Sequence, residues 1–238
     1  MEKTLLTNNN PENTSAMADD AQAGPIPMPR RERVLTAEEQ AALTPDDVIQ
    51  ALKEGNARFV DNNVTARDHS AMVRQAAGGQ FPKAVVLSCI DSRIPVEDVF
   101  DRGIGDLFVG RVAGNFVNVD LLGSMEFGCR VMGAKVILVL GHESCGAITS
   151  AIDGVELGNI TSMLANIKPA IEASQDFPGE KSSKNESYVM HVLKNNVFNA
   201  IKTIEERSPI LKEMADKGEI KIVGAYYNIN SGAVTFLN

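Results

Sequence analysis

Two short strings carry the residues best able to do chemistry in this 238-residue chain: Cys89-Ile90-Asp91-Ser92-Arg93 and His142-Glu143-Ser144-Cys145. Two cysteines and one histidine make a three-ligand set for catalytic zinc, which leaves the fourth position open to water. His142 and Cys145 stand three residues apart, with Gly141 before and Gly146 after. A turn at a helix start can then aim both side chains one way. Cys89 has to arrive from a distant part of the chain, which adjacent parallel strands would allow.

At such a site two thiolates cancel the formal charge of the ion. The metal is then a weaker acid than one held by three neutral histidines, where bound water reaches a pKa of about 7. Hydroxide formed there needs help. Asp91 is placed to accept the proton in a hydrogen bond, and Arg93 to fix and ionise that carboxylate through a bidentate pair. Two other readings use the same residues. Cys89 with His142 and Asp91 has the types of a cysteine-nucleophile site, but leaves Cys145 without a task. A structural zinc site would need a fourth protein ligand, and Asp91 would have to supply it.

The elements that must position these residues can be read around them. Ala84-Val85-Val86-Leu87 and Val136-Ile137-Leu138-Val139-Leu140 are short apolar, β-branched runs that lead straight into the two strings. They predict buried strands at 84–89 and 136–140, with another at Leu107-Phe108-Val109-Gly110-Arg111-Val112. Helices are expected at about 120–132, from Ser144 onward, at 159–174 and at 186–207. In the last, Val189, Val192, Leu193, Val197, Ile201 and Ile204 recur at helical spacing. Structure is expected to begin near Thr44-Pro45-Asp46-Asp47, an N-cap, a proline for the first turn and an acidic pair for the helix dipole. Ser208-Pro209 starts a helix that Gly218 ends, and strands at 220–227 and 233–237 flank a turn through Asn230-Ser231-Gly232. Alternating strands and helices give an α/β fold: one domain, 36–238, with a mainly parallel central sheet flanked by helices. Residues 1–35, rich in Asn, Pro, Ala and Asp without hydrophobic period, read as a flexible N-terminal arm. In open sheets of this kind ligands bind outside the carboxyl ends of the strands, where both strings fall.

Bulk composition narrows the function classes. A net charge of −8 argues against nucleic acid and anionic membranes as partners. No apolar run approaches the length of a membrane span, and no signal-peptide core follows Met1. The chain as given is expected to be cytoplasmic, or exported if a leader was removed. Three cysteines do not make a disulfide framework. Cys129 reads as a small buried hydrophobe, and His69 and His191 as ordinary histidines.

Ser88-Cys89-Ile90-Asp91-Ser92-Arg93, Arg111-Val112-Ala113-Gly114-Asn115 and Gly141-His142-Glu143-Ser144-Cys145-Gly146 together resemble the β-class carbonic anhydrases, in order and in approximate spacing. The resemblance runs from about residue 45 to the C-terminus. It implies reversible hydration of CO₂ to bicarbonate and a proton by zinc-bound hydroxide, with one Zn²⁺ per subunit. It makes Cys89, His142 and Cys145 the zinc ligands and Asp91 with Arg93 the catalytic pair. It places Gln80 at a substrate-binding glutamine, Phe108 at the apolar pocket wall and Gly146 beside the anion position; Ala113 and Phe127 are further wall candidates. In the family the glutamine and part of the wall come from the partner subunit, which implies a homodimer or a dimer-based assembly. Departures are visible too. Phe127 stands where some members carry tyrosine, and Val86 where a bicarbonate-regulated subgroup carries tryptophan, leaving Arg111 as one leg of that regulatory site. Specialised members of the fold hydrolyse carbon disulfide or carbonyl sulfide.

Overall fold

The computed structural model describes residues 33–237, so the expected arm, 1–35, lies outside the described residues but for its last three. Order begins earlier than Thr44. Helix α1 (Ala37–Ala42) is closed by a capping box in which Thr36 accepts from the Glu39 amide while the Glu39 carboxylate accepts from that of Thr36. Helix α2 (Pro45–Val60) starts as expected, with Thr44 as its cap and Pro45 in its first turn. Two short helices, α3 (His69–Ala76) and α4 (Val96–Val99), flank β1 (Ala84–Ser88).

Strand β2 (Leu107–Arg111) precedes helix α5 (Val119–Glu126), which covers only the first half of the helix expected at 120–132. Residues Phe127–Val131 form a π-helical turn instead. Close packing is seen there: a Cβ at Gly128 would come within 2.6 Å of Val85 Cγ2 and 3.2 Å of Phe108 Cδ2. Strand β3 (Val136–His142) leads into α6 (Gly146–Ile152). The helix expected at 159–174 is broken into α7 (Gly158–Leu164), a 3₁₀ turn over Ala165–Ile167 and α8 (Lys168–Glu172). Pro169 explains the break, because it has no N–H to continue the helical ladder. Helix α9 (Glu186–Arg207) and α10 (Pro209–Asp216) match their expected spans, and β4 (Lys221–Tyr227) and β5 (Val234–Leu237) close the chain.

The sheet runs β2-β1-β3-β4-β5, parallel except for β5. Strands β1 and β3 are buried on both faces, as central parallel strands must be. Val85, Leu87, Ile137 and Val139 pack on one side with Leu193, Val197, Ile204 and Leu211 from α9 and α10. Val86, Leu138 and Leu140 pack on the other with Val48 and Leu52 of α2 and with Phe100. Gly141 and Gly224 leave a notch in the sheet that receives Val197 of α9. A Cβ at either glycine would fall 2.9 or 2.7 Å from a Val197 methyl. Among the described residues no helix is long and apolar enough to cross a membrane.

Candidate metal centre

Strands β1 and β3 are neighbours in the sheet with Ser88 opposite Leu140, so Cys89 and His142 leave their carboxyl ends side by side. Cys145 returns to them through a tight loop. Ser144 takes φ +53°, a left-handed conformation that a non-glycine residue adopts only at a cost, and the chain then turns into α6 with Cys145 as its N-cap. The ligand atoms of Cys89, His142 and Cys145 all lie within 4.8 Å of one another, and all three residues are buried.

The donor set fits a divalent metal ion. His142 Nδ1 lies 2.8 Å from the Glu143 carbonyl oxygen. A carbonyl only accepts, so Nδ1 carries the proton and Nε2 presents a bare lone pair. That Nε2 is buried and has no hydrogen-bond partner. The sulfurs are equally poised. A hydrogen bond from the Cys145 thiol is the largest influence lowering the Cys89 pKa, to about 4; burial opposes it, and the Gly114 amide assists. Cys145 is pushed up by that same bond and by burial. The shared proton favours a thiolate at Cys89, and a dication would stabilise a second thiolate beside it. Gly114 donates its N–H to Cys89 Sγ at 3.3 Å.

Asp91 and Arg93 form a bidentate pair beside the cluster. Arg93 Nε donates to Asp91 Oδ1 at 2.9 Å and Nη2 to Oδ2 at 2.7 Å, and the Arg93 amide adds a third bond to Oδ1. Hydrogen bonding from Arg93, against partial burial, holds the Asp91 carboxyl well below the usual carboxylate range. Asp91 Oδ2 lies 3.9 Å from His142 Nε2, beyond hydrogen-bond distance, with both carboxylate oxygens bonded to Arg93. Arg93 also reaches the Ser144 carbonyl, tying the two loops together. Arg111, at the end of β2, donates to the carbonyls of Cys89 and Asp91 at 2.8 and 2.5 Å. Its backbone-clamping role was not visible in the sequence.

Residues 84–234, more than half the chain, match the family model for carbonic anhydrase. The chain is 34% identical to carbonic anhydrase 2 of Mycobacterium tuberculosis over 186 residues, 77% of this chain and 88% of that one. It belongs to the β-carbonic anhydrase family. A Mycolicibacterium smegmatis carbonic anhydrase is 33% identical over 78% of this chain and 89% of its own. Among solved folds, a tetrameric β-carbonic anhydrase of Sordaria macrospora superposes with a TM-score of 0.62 at 24% identity, over 81% of this chain and 98% of its own. The Coccomyxa β-carbonic anhydrase bound to acetazolamide gives 0.64 at 21% identity, over 80% and 84%.

The remaining candidates for this carbonic anhydrase site divide into two groups. Ala113 and Gly146 follow the carboxyl ends of β2 and β3 and stand on the same side of the sheet as the cluster. Gln80 and Phe108 do not. Gln80 precedes β1, and Phe108 is paired with Val85 near the strand's amino end. Four residues of strand, about 13 Å, separate that level from Cys89. Phe108 and Phe127 instead wall a cleft of 620 Å³ along β2, together with Val119 and Leu121. Cys129 is buried in the π-helical turn, where burial pushes its thiol up to about 12, and it takes no part in the cluster. His191 lies near Asp176 on the outside of α9.

Proposed function

We propose that this chain catalyses the reversible hydration of CO₂ to bicarbonate and a proton, with one zinc ion held by Cys89 Sγ, His142 Nε2 and Cys145 Sγ. The observation that carries this reading is the orphaned, buried Nε2 of His142, fixed in its ligating tautomer and converging with two sulfurs. When bound, zinc acidifies a water in its fourth position and so supplies the nucleophile at near-neutral pH.

Asp91 gives both carboxylate oxygens to Arg93, which supports a site left open by a carboxylate that stays off the metal. Its Oδ2, 3.9 Å from His142 Nε2, would accept a hydrogen bond from a water held by the metal and so orient that oxygen towards the electrophile. Arg93 keeps that carboxylate ionised and correctly rotated. Ala113 would add apolar wall, and Gly146, at the start of α6, would stand beside the product anion. A cysteine-nucleophile reading gains no support from the geometry, since Asp91 is not within hydrogen-bond distance of His142.

Gln80 and Phe108 act on the site of a second copy. Their place towards the amino end of the sheet keeps them from their own chain's cluster, while β2 is an outer strand with a cleft along it. Exposed apolar groups gather on this face: Phe127 is 50% and Val119 68% exposed. Pairing two copies across β2 would cover them and supply each site with the other's glutamine and aromatic wall.

Zinc content and CO₂ hydration measured on one purified sample test the proposal. One zinc per chain with hydration activity is expected, and both should be lost in Cys89→Ser and in His142→Ala. Zinc retained at full stoichiometry in both variants would move the metal elsewhere.

A further inference from the structure

Asn196 is a polar side chain where α9 should be apolar. It lies between Val192, Leu193, Val197 and Ala200 on the helix face that packs into the core, and only 2% of it is exposed. An apolar side chain of similar volume would cost less to bury, since the Asn196 Oδ1 finds no hydrogen-bond partner. Its Nδ2 makes one bond, to the Gly114 carbonyl oxygen at 2.8 Å. Gly114 is the residue whose own N–H is aimed at Cys89 Sγ.

Gly114 cannot hold that aim by itself. It sits at φ +79°, and Asn115 after it at φ +40°, so two left-handed residues follow one another. A side chain would be strained there by the positive φ, and a Cβ at 114 would also meet Ile167 Cδ1 at 2.7 Å. A glycine free to rotate needs its next peptide plane fixed from outside. Both ends of that plane are fixed. Its N–H, from Asn115, donates to the Val112 carbonyl at 2.9 Å, and its C=O accepts from Asn196.

We propose that Asn196 is a positioning residue for the metal centre: its amide pins the Gly114–Asn115 peptide so that the Gly114 N–H stays on the Cys89 sulfur. An N–H bonded to a ligating thiolate delocalises its charge and fixes its direction, which governs how well the sulfur binds metal. The inference rests on Cys89 being a zinc ligand, as proposed above. It adds a residue distant in sequence from both ligand strings, acting from a different helix.

The test is zinc affinity, measured by competition with a chromophoric chelator, and the thiolate-to-metal charge-transfer band of the Co²⁺-substituted protein. Asn196→Leu, which fills the space without the donor, should weaken zinc binding about 10- to 100-fold, the usual loss for a group that orients a metal ligand. The Co²⁺ band should shift. Asn196→Gln, which keeps an amide donor, should recover part of the loss. Asn195→Ala removes a neighbouring bond from the same helix, to Ser174 Oγ at 2.8 Å, without touching Gly114, and should leave affinity unchanged. Unaltered affinity and band in Asn196→Leu would overturn the proposal, as would an equal loss in Asn195→Ala. Should Asn196→Leu fail to fold, the unmutated protein loaded with ¹¹³Cd decides: scalar coupling between the metal and the Gly114 amide proton is expected, and its absence refutes the chain of contacts. A wild-type chain that bound no zinc at all would instead sink the metal assignment itself.

Discussion

Asp91→Asn separates the proposed catalytic pair from the metal ligands. The carboxylate accepts three N–H bonds, all from Arg93, and these hold its pKa well below the ordinary range. A carboxylate that acidic is a poor proton acceptor at neutral pH, so its task is orientation more than proton removal. General acid–base catalysis contributes about 10²–10⁴-fold when the pKa matches the working pH. The loss in kcat/KM should therefore fall at or below the lower end of that range, about 10- to 100-fold. Zinc content should stay at one per chain, because both Asp91 oxygens are taken up by Arg93 rather than offered as ligands. Stability should change little, since the Arg93 side chain is half exposed to screening solvent. Asp91 remains ionised throughout the neutral range, so the ratio of wild-type to variant activity should be flat with pH. Stopped-flow CO₂ hydration with an indicator dye, alongside metal analysis of the same samples, measures both quantities. Full kcat/KM in a zinc-loaded variant would refute the orienting role, and loss of the metal would make Asp91 a ligand.

Further outcomes follow from other contacts. Mixing Gln80→Ala with Cys89→Ser subunits, after dissociation and reassembly, should raise activity above either variant alone, because hybrid dimers contain one complete site; no gain would place Gln80 outside the partner's site. The Val86 side chain has no N–H to bind an anion, and Arg111 already donates to the carbonyls of Cys89 and Asp91. Activity should then fall with pH along a single-proton curve, and a cooperative shut-off that bicarbonate moves to higher pH would contradict this. Buried Asp101 is raised by burial but lowered further by Arg58, Thr65 and Arg67, to about 2 against an ordinary 3.8. Its folded-state pKa is depressed, so its contribution is complete above about pH 4 and is lost as pH falls through 2. Asp101→Asn should cost about 3–5 kcal/mol at pH 7 by urea unfolding, and much less near pH 2.

The convergence of Cys89, His142 and Cys145 could be read from the sequence because each string sits directly after an apolar strand, and parallel neighbours bring strand ends together. Helix α9 was equally legible from its apolar period. The capping signal Thr36-x-x-Glu39 marks α1 in the sequence, ahead of the expected start near Thr44. Pro169 likewise signalled the break between α7 and α8. The π-helical turn has no comparable signal in the sequence; it coincides with close packing of Gly128 on Val85 and Phe108. Nor could spacing alone divide the candidate pocket residues by end of the sheet. That division needs strand direction and the Val85–Phe108 register. Asn196 was invisible for a related reason: its value lies in one bond to a distant backbone carbonyl.

The glycine notch that seats Val197 has a thermodynamic consequence. Gly141 lies immediately before His142, so the helix that closes the core also presses on the strand that delivers a proposed metal ligand. Loosening that helix must loosen the ligand set, and filling the ligand set must brace the helix. Metal occupancy and global unfolding are then linked equilibria. For each tenfold rise in free zinc above its dissociation constant, the folded state gains about 1.4 kcal/mol, so resistance to denaturant becomes a readout of zinc supply.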